Sequence, residues 1–164
     1  MRTSPLIGRV ARVVTASSRA AAGVYPDRGG ALVVATLREW GMEVPESEVV
    51  PDGPEVAAAI ARALAAAPHL LLTTGGTGLT PTDGTPDATR PFLTTEVPGI
   101  PESIRAAGVA KGVPTAALSR GIAGLAGRTL VVNLPGSTGG VRDALAVLEQ
   151  LLPHALDQVS GGDH

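Results

Sequence analysis

The sequence predicts an α/β protein in which helices cover both faces of a mostly parallel sheet, a three-layer α/β/α arrangement. Apolar, β-branched segments alternate along the chain with segments whose apolar residues recur at helical spacing. The first strand segment, residues 10–15, is apolar nearly throughout, as expected where both faces of a sheet are covered. Strands that alternate with helices pair in parallel, so their carboxyl ends share one edge of the sheet.

The elements follow one another along the whole chain. Strands are predicted at residues 10–15, 42–50, 70–74 and 128–133. Helices are predicted at residues 27–40, 54–67, 85–93, 101–110 and 138–152. Pro54 fits the first turn of its helix, Thr85 is the predicted N-cap of the next, and Pro153 is predicted to interrupt or kink the last. The pattern leaves the type of the segments 114–118 and 121–125 open.

Composition excludes several classes of protein. The 164 residues suffice for one well-buried core, so a single domain over residues 1–164 is expected. A net charge of −2 and an aromatic content of 2% argue against a nucleic-acid partner. The absence of cysteine excludes disulfides, thiol catalysis and thiolate metal sites. No segment has the length of a signal peptide or membrane span, so a soluble, cytoplasmic protein without a membrane partner is expected.

The most informative motif follows the strand at residues 70–74. Gly75-Gly76-Thr77-Gly78 comes directly after Thr74, and Asp83 lies a few residues beyond. A strand that ends in glycines exposes backbone N–H groups to an anion, and a nearby carboxylate can hold a divalent cation, so the pair suits a phosphate-bearing substrate. The loop lacks both the dinucleotide fingerprint and the Gly-Lys-Ser/Thr of a P-loop. Taken alone, an ordinary glycine turn explains it equally well.

Three aspartates are candidates for metal binding or catalysis. Asp52, in Pro51-Asp52-Gly53-Pro54, follows the second predicted strand, and Asp83 precedes Gly84; turn formation is the alternative explanation for each. Asp87 fits a helix start better than a catalytic role. Asp83 is therefore a stronger candidate than Asp87, and Asp52 is expected on the same sheet edge.

Residues 133–137, Asn-Leu-Pro-Gly-Ser, leave the last predicted strand and enter the final helix. Ser137 is a natural N-cap, and the same helix start can bind an anion, so capping and phosphate binding compete for one hydroxyl. Arg19, Arg28 and Arg120 are cations that can contact phosphates, although an arginine is more often a solvated surface charge.

Taken together and in order, these motifs resemble the Mog/MoaB family of molybdenum cofactor biosynthesis, to which a domain of gephyrin also belongs. The similarity covers nearly the whole chain. It is carried by Thr15-Ala16-Ser17-Ser18-Arg19 with Gly23, Tyr25 and Asp27, by residues 73–78 with Asp83, by Thr85-Pro86-Asp87-Ala88-Thr89, by Leu118-Ser119-Arg120 and by residues 133–137. The form of residues 85–89 is closer to the Mog adenylyltransferase branch than to the MoaB branch.

The resemblance implies the molybdopterin-binding fold of that family, a homotrimer and an adenylyltransferase. In that reaction the terminal phosphate of molybdopterin attacks the α-phosphate of ATP, pyrophosphate leaves, and the adenylylated product is handed on for molybdenum insertion. Mg²⁺ is the implied cofactor, ATP the co-substrate and molybdopterin the partner substrate. The alternative is a MoaB-like pterin-binding or scaffold protein without adenylyl transfer.

The resemblance also assigns roles residue by residue. Asp83 matches the family's essential loop aspartate and Asp52 its second acidic position, so both are expected to be catalytic and to hold the metal. The residues expected to bind substrate are Thr74, Gly75, Gly76, Thr77, Gly78, Ser119, Arg120, Pro135, Gly136 and Ser137.

Two departures from the family pattern affect these expectations. Ser18 stands where the family often has aspartate, which removes one acidic contact. Thr138-Gly139 stands where the family often has Pro-Lys, so a cation that could grip phosphate or pterin is missing. Arg142, one turn into the helix, is a candidate replacement.

Overall fold

The computed structural model describes residues 5–162, so the ends of the predicted 1–164 domain lie outside it. Its described strands form one six-stranded sheet. They are β1 (Ala11–Ala16), β2 (Glu48–Val50), β3 (Leu70–Thr74), β4 (Thr95–Glu96), β5 (Ala123–Ala126) and β6 (Thr129–Leu134). The strand order is β2-β1-β3-β6-β5-β4. The strands β1, β2, β3 and β6 are parallel, and β5 runs antiparallel to both of its neighbours.

Helices cover both faces of this sheet. They are α1 (Ser18–Ala21), α2 (Arg28–Glu39), α3 (Pro54–Ala65), α4 (Thr85–Thr89), α5 (Gly99–Ala110) and α6 (Thr138–Val159), with short 3₁₀ helices at Arg90–Phe92 and Pro114–Leu118. One core cluster joins α2, α5 and α6 to the sheet, and a second joins α3 to the opposite face. The predicted three-layer α/β/α class is confirmed.

The central strand β3 shows why the sequence has apolar runs rather than alternation. Leu70 and Leu72 belong to the cluster under α2, α5 and α6, and Leu71 belongs to the cluster under α3. All three are fully buried. Neighbouring positions face opposite sides of the sheet, so every position must be apolar when both sides are covered.

The parallel strands end in register. Ala16 of β1 is level with Val50 of β2, and Thr74 of β3 is level with both Thr15 and Leu134. The loops that leave these strands therefore meet at one edge of the sheet. This is the edge at which open α/β sheets bind ligands.

The second predicted strand, residues 42–50, is wrong in length. Only Glu48–Val50 forms β2, preceded by a single bridge between Val10 and Glu43. Pro45 has no N–H to donate to a ladder, and the carbonyl of Val44 accepts hydrogen bonds from Arg38 instead.

Two helices differ from the prediction: α6 is longer than expected, and α4 has a different N-cap residue. The helix α6 continues through Pro153 to Val159, and Leu152 and Leu156 on either side of the proline are both buried. The N-cap of α4 is Gly84, not Thr85, and a 3₁₀ turn follows it.

The two segments left open are now assigned. Residues 114–118 form a 3₁₀ helix, and residues 123–126 form β5. The other predicted elements agree with the structure within two residues at each end. Within residues 5–162 no helix has both the length and the apolarity needed to cross a membrane.

Candidate functional site

Two pockets meet at the carboxyl edge of the sheet. The first, about 630 Å³, is called the aspartate pocket; it is lined by Thr15, Ala16, Ser17, Ala20, Tyr25, Pro26, Asp27, Arg28, Gly29, Asp52, Thr74, Gly75, Gly76, Asp83, Gly136 and Thr138. The second, about 490 Å³, is called the apolar pocket. Its walls include Ile104, Gly108, Val113, Leu118 and Pro135. Gly76, Asp83 and Gly136 line both pockets, so the two are adjacent compartments of one site.

The glycine turn after β3 forms the floor between the pockets. Gly75 and Gly76 have φ angles of +90° and +67°, which L-amino acids with a side chain rarely adopt. A Cβ on Gly75 would lie 2.3 Å from the carbonyl oxygen of Ala16, so the turn also has no room for one. The N–H of Gly75 donates to Leu134, while the N–H of Gly76 donates to no acceptor within residues 5–162. The Gly76 amide is therefore free to bind an anion.

The carboxylate of Asp52 is oriented by Ser18. The Ser18 hydroxyl and N–H donate to Asp52 Oδ2 at 3.2 and 3.3 Å, and the Ser18 hydroxyl accepts from the Asp52 N–H at 3.1 Å. A second aspartate at position 18 would place like charges against each other here. The departure at Ser18 thus removes an acidic group and supplies a donor that fixes Asp52.

The carboxylate of Asp83 is held within its own loop. Its Oδ2 accepts from the N–H of Thr80 at 3.2 Å, and its backbone N–H donates to the Thr80 carbonyl at 3.0 Å. A Cβ on Gly78 would come within 2.7 Å of Asp83 Oδ2, so Gly78 has to be small for Asp83 to take this position.

Arg120 holds the glycine loop from outside the pockets. Its guanidinium donates to the carbonyl oxygens of Gly78 and Asp83 at 3.2 and 2.8 Å and forms an ion pair with Asp87 at 3.0 Å. Its own N–H donates to the Thr77 carbonyl at 2.7 Å. The hydrogen bond from Arg120 holds the pKa of Asp87 below its ordinary value, and the same contact raises the pKa of Arg120. These contacts stabilise the loop, and substrate binding by Arg120 stays a prediction.

The corner after β6 packs directly on the glycine turn. Thr74 donates to the carbonyl oxygen of Pro135 at 2.8 Å, and a Cβ on Gly136 would lie 3.2 Å from the Cα of Gly75. Ser137 caps α6 by accepting from the N–H of Gly140 at 3.1 Å. Its predicted capping role is confirmed, and the start of α6 lies between the two pockets.

The departure at Thr138-Gly139 falls on this same corner. Thr138 lines the aspartate pocket and Gly139 the apolar pocket, so neither position provides a cation. Arg142 is exposed and lines neither pocket. It is not placed to replace the missing lysine.

The outer wall of the aspartate pocket comes from the start of α2. Asp27 caps this helix: its Oδ1 accepts from Gly30 N–H at 2.9 Å and its Oδ2 from the Thr15 hydroxyl at 2.8 Å. Thr15 also shares a hydrogen bond with Ser47 at 2.7 Å. The network fixes the first turn of α2 against the end of β1 and places Arg28 at the pocket.

Sequence reasoning missed the wall that α5 contributes. Ile104 and Gly108, four residues apart, face the apolar pocket together with Arg105, whose guanidinium donates to the carbonyl oxygens of Ser119 and Gly121. The sequence predicted a helix at residues 101–110, but nothing in it placed that helix beside the Ser119 segment.

All of the site residues predicted from the resemblance, except Arg120, line one or both pockets. Thr74, Gly75 and Asp52 line the aspartate pocket, and Asp83 lies at the junction. The other predicted residues line the apolar pocket or the junction: Gly76, Thr77, Gly78, Ser119, Pro135, Gly136 and Ser137. The roles assigned to them remain predictions.

The aspartates fit a metal ion that arrives with a nucleotide. Within residues 5–162 no group of three or more histidine, cysteine or carboxylate side chains forms a closed ion site. Mg²⁺ is commonly held by one or two carboxylates together with substrate phosphates and water. Asp52 and Asp83 line one pocket and are of the residue type that such an ion needs, and Mg²⁺ binding by them stays a prediction.

The comparisons with known proteins agree with this geometry. Residues 12–154 match the family model described as a probable molybdopterin binding domain. The chain is 40% identical over 163 residues to the molybdenum cofactor biosynthesis bifunctional protein of Synechococcus elongatus, covering 99% of this chain and 51% of that protein. It is 35% identical over 156 residues to the molybdopterin adenylyltransferase of Helicobacter pylori strain J99, covering 91% and 86%.

Solved structures give the same result. The molybdopterin biosynthesis Mog protein from Mycobacterium ulcerans superposes with a TM-score of 0.88 at 49% identity, covering 93% of this chain and 99% of that one. The chain belongs to the Mog/MoaB family of molybdenum cofactor biosynthesis, as its motifs predicted. It spans about half the length of the Synechococcus relative.

Proposed function

We propose that this protein is a molybdopterin adenylyltransferase, which transfers AMP from ATP to the terminal phosphate of molybdopterin. One observation carries the proposal: two pockets of ligand size share a wall made of Gly76, Asp83 and Gly136. A reaction between two phosphates needs both substrates bound with their phosphates at one point, and this shared wall provides such a point.

The two pockets differ in the chemistry they offer. The aspartate pocket has the hydroxyls of Thr15 and Ser17, the carboxylates and the free amide of Gly76, which suit a nucleotide and its metal-bound phosphates. The apolar pocket has Ile104, Val113 and Leu118, which suit a flat ring system. We therefore assign ATP to the aspartate pocket and the pterin to the apolar pocket.

The reaction in this arrangement is an in-line displacement at phosphorus. An oxygen of the molybdopterin phosphate attacks the α-phosphorus, a new phosphoanhydride bond forms, and pyrophosphate leaves with the electron pair of the broken P–O bond. Positioning and charge stabilisation supply most of the catalysis for such a transfer, and no protein nucleophile is needed. Gly76 lines both pockets, and the first turn of α6 contributes Thr138 to one and Gly139 to the other, so both can supply donors near the transferred phosphate.

Asp52 and Asp83 would hold Mg²⁺. When bound, the ion would neutralise part of the charge on the phosphate oxygens. Asp83 lies at the junction of the two pockets, whereas Asp52 lines the aspartate pocket alone. The loss of the Asp83 carboxylate should therefore lower turnover more than the loss of the Asp52 carboxylate.

The test is an assay with ATP, Mg²⁺ and molybdopterin, following adenylylated product and pyrophosphate. Asp83→Asn is expected to lower turnover about a hundredfold or more, because charge stabilisation at a reacting phosphate contributes several kcal/mol. Glu55→Gln is the matched control: it removes an exposed carboxylate near Asp52 that lines neither pocket, and it should leave turnover unchanged.

Unchanged turnover in Asp83→Asn would reject the role of that residue. Tight molybdopterin binding by the wild type without consumption of ATP would reject adenylyl transfer and support the MoaB-like binding protein instead. The homotrimer and the hand-over to a molybdenum-insertion protein stay predictions.

A further inference from the structure

Arg28 is a cation at the aspartate pocket that has no partner in the part of the chain that the structure describes. It is the first residue of α2 and lines the pocket, and no other lysine or arginine of residues 5–162 does so. Its guanidinium forms no hydrogen bond or ion pair within the described part of the chain. By contrast, the guanidinium groups of Arg38, Arg62, Arg90 and Arg120 each pair with a carboxylate.

The backbone around Arg28 also faces the pocket. Gly29 lines the same pocket, and a Cβ there would lie 3.4 Å from Thr74 Oγ1 and 3.5 Å from the Gly136 carbonyl oxygen. The first turn of α2 is therefore packed against the ends of β3 and β6. The Gly29 N–H donates to no acceptor within residues 5–162, so this pocket is lined by an amide and a guanidinium that both lack an acceptor in the described part of the chain. Both are donors at the positive end of a helix of 12 residues.

The carboxylates of this pocket make an unpaired cation significant. Asp27, Asp52 and Asp83 all line it, and a carboxylate that holds no metal ion would repel a polyphosphate. Asp27 is occupied by the Thr15 hydroxyl and the Gly30 N–H. The positive charge of Arg28 therefore reduces the repulsion between these carboxylates and a bound phosphate at the end of the pocket formed by α2.

In-line displacement determines what Arg28 should bind. The attacking oxygen and the leaving group stand on opposite sides of the reacting phosphorus. If the acceptor phosphate comes from the apolar pocket, the leaving group must lie away from that pocket, within the aspartate pocket. We propose that Arg28, with the Gly29 amide, binds the β- and γ-phosphates of ATP and holds the leaving pyrophosphate. This assignment rests on the proposed function.

The test compares ligands that do and do not carry the leaving group. Binding of ATP, pyrophosphate and AMP, each with Mg²⁺ and without molybdopterin, is measured by isothermal titration calorimetry on the full chain. Arg28→Ala is expected to weaken ATP and pyrophosphate binding about tenfold or more, and to change AMP binding less than twofold. Arg28→Lys should recover part of the loss, because it restores the charge without the planar guanidinium.

Arg19→Ala is the matched control. Arg19 is exposed, lies on α1 and lines neither pocket. Its removal lowers the net charge equally and should leave all three affinities unchanged. Equal losses in Arg19→Ala and Arg28→Ala would show a general charge effect and overturn the proposal.

Other outcomes separate this inference from the proposed function. Pyrophosphate binding that does not depend on Arg28, or an equal loss of AMP binding, would overturn the role of Arg28. Selective loss of pyrophosphate affinity would support it, even in a protein that transfers no AMP to molybdopterin. In that case the proposed function alone would fail.

Discussion

Asn133 shows how a sequence motif divides between structure and site. Its side-chain amide is buried; Nδ2 donates to Thr73 at 2.9 Å and to Thr89 at 3.1 Å, and Oδ1 accepts from the N–H of Ile122 at 3.1 Å. One side chain thereby links β6 to β3, α4 and the start of β5. The next residues of the motif, Pro135 and Gly136, form pocket wall. A buried amide with all these partners serves to fix the wall, because leaving any of them unpaired is costly.

Two neighbouring threonines differ in a way that stability measurements can detect. Thr85 Oγ1 is buried without a hydrogen-bond partner in the described residues. The Thr89 hydroxyl, also buried, donates to the Thr85 carbonyl at 2.7 Å and accepts from Asn133. In urea unfolding, Thr85→Val should raise the free energy of unfolding by about 1 kcal/mol, and Thr89→Val should lower it by about 1–2 kcal/mol. Equal losses in both variants would contradict this.

The sequence was sufficient to predict where the two aspartates lie, but not to distinguish Arg28 from the other candidate arginines. Position after a strand was enough to expect Asp52 and Asp83 on one edge, and the structure places both in one pocket. Arg28 was one of three arginines considered, and nothing in the sequence separated it from Arg19 or Arg120. The difference lies in partners: Arg120 is engaged by carbonyls and a carboxylate from distant segments, whereas the Arg28 guanidinium has no partner among residues 5–162.

At the scale of elements, the turn after β3 is the least tolerant segment of the site. Gly75 combines a φ of +90° with a backbone oxygen in the position of a Cβ. Gly23 has a similar φ of +74° but nothing within 4 Å of that position. Gly75→Ala is expected to lower the free energy of unfolding by about 3 kcal/mol, and Gly23→Ala by about 1 kcal/mol. Thermal and urea unfolding measure both.

The difference between these two variants isolates the contact with Ala16, since the strain from positive φ is common to both. Similar losses would mean that the turn relaxes around an added methyl group. In that event the close packing of β1 against the turn would not be what requires glycine at position 75.

The first and last residues of a helix or strand could be predicted where the local sequence pattern determines them. They could not be predicted where contacts with distant segments determine them. The buried strand β3 is a continuous apolar run and the helices α2 and α3 have apolar residues at helical spacing, and all three agree closely with the prediction. The segment before β2 looked like strand because it is apolar, but Arg38 from α2 takes the Val44 carbonyl. The helix α6 passes Pro153 because Leu152 and Leu156 are held in the core. Tertiary burial outweighs the lost hydrogen bond there.

At the scale of the whole molecule, the direction of β5 brings the Ser119 segment to the site. Because β5 is antiparallel to β6, its amino-terminal end lies at the edge where the parallel strands end. Ser119 therefore joins the apolar pocket, although it precedes a strand rather than following one. The sequence left residues 121–125 unassigned, so this contribution could be predicted only by resemblance.

The ion pair between Arg120 and Asp87 joins this segment to α4 and should make the free energy of unfolding depend on pH in the acid range. The pKa of Asp87 is lowered below its ordinary value of 3.8, first by the hydrogen bond from Arg120. A lowered pKa in the folded state gives stability that is complete above the unfolded pKa and is lost as pH falls through the folded pKa. The stability difference between wild type and Asp87→Asn should therefore be constant above about pH 5 and shrink below about pH 3.8.

Urea unfolding of both proteins between pH 7 and pH 2.5, roughly the range that spans this titration, measures the difference. A difference that persists unchanged at the acid end would show that the asparagine loses something other than the charge of Asp87. A difference that grows as pH falls would contradict the direction of the pKa change.

The wall between the two pockets includes two glycines, with Gly136 packed on Gly75 and the half-buried Gly76 lining both pockets. Molecules seated in the neighbouring compartments can touch without any hinge or lid having to close over them. Because the two pockets share lining residues, a molecule bound in one pocket changes part of the surface that a second molecule contacts in the other.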